Sequence, residues 1–275
     1  MDSRLFYATS FAILTAGGFA WPAGGRSETP VVEAAPKLAP GALFSLEFPD
    51  MPPTFANLSD PPGNKTMMTV FLPRNYETSR KHPLLIFLNG GTGGRAANPA
   101  VARKLSEEKD FVCVDFPLFK AADPQAPPGA KPALKLTNAD YALAWPLYQR
   151  MLARLDHVVP NIDPAHRILG GFSNGAHMVA GLIDQSNGEV CKQFSAFFFV
   201  EGGGRLQNVD LLKGVTTLLV YGENSLRKSR LDEIQQEYGS AGVHLKPQPM
   251  PNTGHNFPET AYPEVRTWLY ESALR

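Results

Sequence analysis

Residues 167–186 read RILGGFSNGAHMVAGLIDQS. The run 167–172 is apolar and short, as a buried strand is, and the residues after Ser173 continue with the apolar spacing of a helix. Gly171 and Gly175 flank the serine in a G-x-S-x-G pattern. A crowded strand-to-helix turn needs glycines beside its apex and leaves an apical hydroxyl clear of the backbone. Ser173 is therefore the candidate nucleophile. Five residues alone are a short match, and the bland alternative is a glycine bend that happens to hold one polar side chain. The strand before and the helix after favour the turn.

Outward from this stretch, short apolar runs alternate with helical patterns. Strands are expected at 66–72, 83–88, 111–116, 195–200, 215–221 and 243–249. Helices are expected at 98–110, from Asn138 to about Val158 with a kink or break at Pro146, and in the two segments beginning at Arg227 and Tyr262. Continuous apolar strands interleaved with helices indicate an α/β fold whose sheet is covered on both faces. Ligands of such sheets gather beyond the carboxyl ends of the strands. The loops 89–95, 170–175 and 222–226 fall there.

The chain has 275 residues, 43% of them hydrophobic, enough for one sizeable core. Lys plus Arg and Asp plus Glu balance at 26 each, which leaves no electrostatic footprint for nucleic acid and points to neutral substrates. Residues 1–20 combine Arg4, an apolar stretch and small residues at Gly18 and Ala20, and read as a signal peptide. The expected location is secreted or periplasmic, with no stable membrane association once the peptide is removed. Residues 21–40 read as a Pro/Ala/Gly-rich linker and 41–275 as a single domain. Cys113 and Cys191 form no C-x-x-C, and no clustered His/Cys pattern suggests zinc. Neither a metal nor an organic cofactor is expected.

A serine hydroxyl is a weak nucleophile until a base takes its proton. Of six histidines, His177 lies one helical turn past Ser173 and His244 opens a strand, whereas His255 lies in the loop PNTGHNFP after the last strand. The order nucleophile, acid, base selects His255. An oxyanion needs N–H donors, and FLNGGTGG (87–94) follows a strand with four glycines in five positions. Gly91, together with Asn174 just after the serine, is the expected donor pair. The glycine loop has no G-K-[ST] ending, so a nucleotide is a poor fit.

These stretches, NGGTGG, NIDPAHRILGGFSNGAHM and GHNFP, resemble the α/β-hydrolase superfamily, and within it secreted esterases of the feruloyl esterase, acetylxylan esterase and polyhydroxyalkanoate depolymerase type. The resemblance covers roughly residues 65–275 and implies an eight-stranded, mostly parallel sheet without a large cap domain. It implies Ser173 and His255 as catalytic residues of a serine esterase working through an acyl-enzyme on small or polymer-linked esters. It also implies that the strands holding Cys113 and Cys191 are not neighbours, against a disulfide between them.

Two positions depart from the family pattern. Asn89 stands where the oxyanion loop usually begins with His, a change that backbone donors tolerate. YGENS places Ser225 where the acid is usually Asp. Two carboxylates can replace it: Glu223 in the same loop, ranked first, and Glu201 at the end of FFFVE, the alternative. Without either, the chain would be a hydrolase-like binding protein that lacks a working relay.

Overall fold

A computed structural model of the protein describes residues 36–48, 55–56, 66–91, 99–118, 120–121 and 138–274. The expected signal peptide and most of the expected linker lie outside these residues.

Eight strands form one sheet: β1 (Leu43–Phe48), β2 (Thr66–Phe71), β3 (His82–Leu88), β4 (Val112–Asp115), β5 (Ile162–Phe172), β6 (Ala196–Val200), β7 (Thr216–Gly222) and β8 (His244–Met250). Their order across the sheet is β1-β2-β4-β3-β5-β6-β7-β8. β2 runs antiparallel to both its neighbours, and the strands from β4 to β8 pair in parallel. The eight-stranded, mostly parallel sheet is the one the motifs imply. A two-residue antiparallel pair, Phe55–Ala56 with Lys120–Ala121, stands apart from it.

Why the strands read as continuous apolar runs is visible in β3. Leu84, Ile86 and Leu88 pack into one core layer, Leu85 and Phe87 into the other. The first layer is closed by α2 (Asn138–Val158), α3 (Asn174–Gln185) and α5 (Leu231–Ser240), through residues such as Leu155, Ile183 and Tyr238. The second is closed by α1 (Ala100–Leu105) and α6 (Tyr262–Trp268), through Leu105, Val265 and Trp268. With helices on both faces, alternate residues of a strand are equally buried and no polar period appears.

Several expected boundaries shift. The helix expected over 98–110 stops at Leu105, because Glu107, Glu108 and Asp110 adopt positive φ and turn the chain into β4. Pro146 does not break α2. It sits on the exposed face, where water can satisfy the carbonyl it orphans, while Ala144, Trp145, Leu147 and Tyr148 hold the other face in the core. The segment from Arg227 begins as a single-turn 3₁₀ stretch before α5. β1 has no counterpart among the expected strands, since as a half-exposed edge it lacks the continuous apolar run of the central strands. Cys113 lies in β4, but Cys191 lies in a short helix, α4 (Glu189–Gln193), rather than a strand, and both thiols are free.

Candidate active site

Parallel register fixes which residues meet above the sheet. Phe172, Val200 and Val220 are aligned across β5, β6 and β7, and Gly222 is aligned with Met250 of β8. The next residues after β5 and β6 are Ser173 and Glu201, side by side at the carboxyl edge. Ser173 N–H donates to the Val200 carbonyl at 2.9 Å, and Glu201 N–H to the Val220 carbonyl at 3.0 Å. Both leave the strands with positive φ, 52° for Ser173 and 50° for Glu201. A non-glycine residue held in that region is strained and persists only where its surroundings impose it.

At Ser173 the surroundings are the flanking glycines. A Cβ on Gly171 would lie 2.4 Å from the Gly175 carbonyl carbon, and one on Gly175 would lie 2.0 Å from the Leu88 carbonyl oxygen. The first contact lets the strand double back into α3, and the second lets α3 press its first turn onto the end of β3. The sequence pattern is thus met by two close approaches of backbone to backbone.

The His255 loop is anchored on β7. A Cβ on Gly222 would lie 2.3 Å from the Thr253 carbonyl oxygen, and Asn224 N–H donates to the same carbonyl at 2.9 Å. The His255 ring stacks on Phe172, with centroids 5.3 Å apart, and its Nε2 lies 2.9 Å from Ser173 Oγ. Its Nδ1 lies 3.0 Å from Glu201 Oε2. Ser173, His255 and Glu201 form one hydrogen-bonded chain. With Nδ1–H donating to the carboxylate, Nε2 is left as the acceptor that faces the hydroxyl.

On sequence Glu223 ranks ahead of Glu201, and the structure brings Glu201, not Glu223, against His255. Glu223 N–H is bonded to the Met250 carbonyl at 3.1 Å, and its side chain is exposed. Its charge contributes to raising the Tyr221 hydroxyl above its ordinary range, an effect led by burial. Glu201, in contrast, is fully enclosed. Its Oε1 accepts the Gly222 N–H at 2.6 Å, and its Oε2 accepts the Ser225 hydroxyl at 2.8 Å in addition to His255. Ser225, in the position where the pattern leads one to expect the acid, is instead a donor to it. The physical reason is register: Glu201 leaves β6 beside Ser173, where its side chain meets His255, whereas the Glu223 side chain is exposed.

The glycine loop after β3 meets the serine from the other side. A Cβ on Gly90 would lie 3.1 Å from Ser173 Cβ, which makes Gly90, not singled out on sequence, its close neighbour. Gly91 has φ +76°, and its carbonyl accepts the Asn174 side-chain amide at 2.7 Å. Asn89 donates through Nδ2 to Asp115, whose carboxyl is pushed well above the ordinary range by burial, partly offset by that hydrogen bond. Residues 92–95 of the expected loop lie outside the described residues. His177 is occupied elsewhere, its Nδ1 accepting Gly203 N–H at 3.3 Å. His244 is exposed at the start of β8. Among the described residues, no group of three or more His, Cys, Asp or Glu is placed to hold a metal ion.

No family model and no curated protein matches the chain in sequence. Solved structures do match in shape. An esterase from Rhizomucor miehei aligns with a TM-score of 0.56 at 14% identity, covering 86% of each chain. A carboxylesterase from Mesorhizobium loti aligns at 0.53 and 14% identity, covering 82% of this chain and 99% of that one. An esterase from Pyrobaculum calidifontis aligns at 0.55 and 13% identity, covering 85% and 86%. The chain has the α/β-hydrolase fold. Identities this low speak to fold alone. In this sheet the carboxylate behind the histidine comes from the end of β6, with the β7 loop contributing a hydroxyl and a backbone N–H around it.

Proposed function

We propose that the protein is a serine carboxylic-ester hydrolase acting through an acyl-enzyme, with Ser173 as nucleophile, His255 as base and Glu201 as acid. The observation that carries this reading is the unbroken chain from Ser173 Oγ to His255 at 2.9 Å and from His255 to Glu201 at 3.0 Å. In the proposed cycle His255 Nε2 takes the Ser173 proton as Oγ attacks the ester carbonyl. The imidazolium so formed is stabilised by the Glu201 carboxylate, and it gives the proton to the departing alcohol. Water activated by the same nitrogen then hydrolyses the acyl-serine. The N–H groups of Asn174, at the start of α3, and of Gly91 are assigned to the developing oxyanion.

The Glu201 contact favours this catalytic reading over a binding protein that lacks an acid. The structural neighbours point the same way, since one of them is Thermogutta terrifontis esterase 2 phosphorylated by paraoxon. Secretion is part of the proposal on the strength of residues 1–20 alone. Bulky or polymer-linked esters suit a site whose histidine side chain is half exposed.

A fluorophosphonate probe tests the central claim. The wild-type protein should gain one adduct at Ser173, and Ser173→Ala should gain none. A folded wild-type protein that stays unlabelled would refute it.

A further inference from the structure

A cavity of about 760 Å³ adjoins the imidazole. His255 and Glu201 are part of its wall, whereas Ser173 and the Gly90–Gly91 loop are not. It therefore lies on the side of the histidine away from the oxyanion loop. The proton that His255 delivers goes to the leaving oxygen, so the alcohol arm of an ester must lie next to the ring. On the ester-hydrolase reading above, this cavity is the alcohol subsite.

Its lining has two characters. Leu219, Leu231 and Ile234, from β7 and α5, make an apolar floor, with Tyr221 beside them. Arg205 and Arg230, both exposed, stand on the wall. Among the described residues that line it, Glu201 is the only carboxylate, and its oxygens are already engaged by Gly222, Ser225 and His255. Arg205 has a loose ion pair with Glu237 at 3.7 Å, and Arg230 has none among the described residues. Asp232 and Glu223 approach Tyr221 closely enough to affect its hydroxyl, but neither lines the cavity. In a chain of zero net charge, this wall has two guanidinium groups: Arg205, shared with a neighbouring hollow lined by Asp210, Glu233 and Glu237, and Arg230, which has no ion pair among the described residues.

We propose that the cavity takes an alcohol with an apolar body and a terminal carboxylate, the body lying over Leu219, Leu231 and Ile234 and the carboxylate received by Arg205 and Arg230. A guanidinium presents paired N–H donors that match a planar carboxylate, and the apolar floor excludes part of the competing water. The balanced composition points to neutral substrates, and on this proposal one arm of the ester departs from that expectation.

The test compares 3-(4-acetoxyphenyl)propanoate with its primary amide. The saturated spacer keeps the two leaving phenols alike in reactivity, so the comparison isolates the charge. Wild type should prefer the anion by about tenfold in kcat/KM, mostly through KM, and the preference should shrink as salt rises. Arg205→Gln and Arg230→Gln should each lower the ratio, the double variant should bring it near one, and Arg230→Glu should invert it. A ratio near one in wild type, or one unchanged in the double variant, overturns the proposal. Calorimetric titration of Ser173→Ala with 3-(4-hydroxyphenyl)propanoate reads the subsite without turnover. Binding lost on Arg230→Glu supports the subsite even if neither ester is cleaved, and absence of binding to Ser173→Ala overturns it. Failure of the ester-hydrolase reading shows separately, as a folded wild type that hydrolyses neither ester and takes no fluorophosphonate.

Discussion

Replacing Glu201 with Gln removes one charge and almost no volume, and the structure indicates how its effect divides. Three donors converge on two carboxylate oxygens: Gly222 N–H at 2.6 Å on Oε1, and Ser225 and His255 at 2.8 and 3.0 Å on Oε2. A glutamine offers only one acceptor oxygen and one NH₂ donor. If the NH₂ replaces Oε1, it faces the Gly222 N–H donor to donor in a fully buried place. If it replaces Oε2, His255 can meet it only by presenting Nδ1 as acceptor, which leaves a proton on Nε2 pointing at Ser173. Either arrangement removes the charge that stabilises the imidazolium, and the second also installs the wrong tautomer. A loss of about 10³ to 10⁴ in kcat follows, as for the corresponding change in a serine protease triad. Glu223→Gln, at an exposed position, should stay within about twofold, in line with surface changes generally. Steady-state kinetics on a p-nitrophenyl ester read both, with circular dichroism to confirm folding. If Glu201→Gln kept a tenth of wild-type kcat while folded, or Glu223→Gln fell as far, the reasoning would be wrong.

Three further outcomes can be checked. Ser225→Ala removes one hydrogen bond to the Glu201 carboxylate and should lower kcat about ten- to a hundredfold with KM little changed, while Ser225→Thr restores most of it; loss of activity in both variants alike would point to a disturbed loop instead. Asp115 is held above the ordinary carboxylate range by burial, so the native state binds its proton more tightly than the unfolded chain does. The stability it confers is present below the unfolded pKa of about 4 and is lost as pH rises toward the shifted value. The melting temperature of Asp115→Asn should therefore gain on wild type between pH 4 and pH 8, and a constant difference would refute the assignment. Burial pushes the Cys113 thiol to about 12 and the Cys191 thiol to about 11, so both should resist a thiol reagent at pH 8 until the protein is unfolded. Fast modification of native protein would contradict this.

The elbow around Ser173 was legible because its constraint is local. The glycines at 171 and 175 are required by contacts within one turn and against the adjoining strand, and such requirements leave a short, ordered signature. His255 was legible for a related reason, since chain order and a loop bounded by Gly and Pro narrow six histidines to one. β1 and the early end of α1 were less so. An edge strand that faces water on one side lacks a buried strand's run of apolar residues, and two of the three residues with positive φ after α1, Glu107 and Glu108, are not of the type that announces a turn.

The sequence by itself determined the alternation of strand and helix, the turn that exposes Ser173 and the histidine that follows the last strand, because each depends on neighbours close in the chain. Only the tertiary structure decided which carboxylate serves that histidine. Glu201 and Glu223 each directly follow a strand, and spacing along the chain favours the one in the expected loop. The choice is made by parallel register, which sets Glu201 beside Ser173 at the edge of the sheet. The β7 loop encloses it with the Gly222 N–H and the Ser225 hydroxyl, while Glu223, two residues before Ser225, is directed into water.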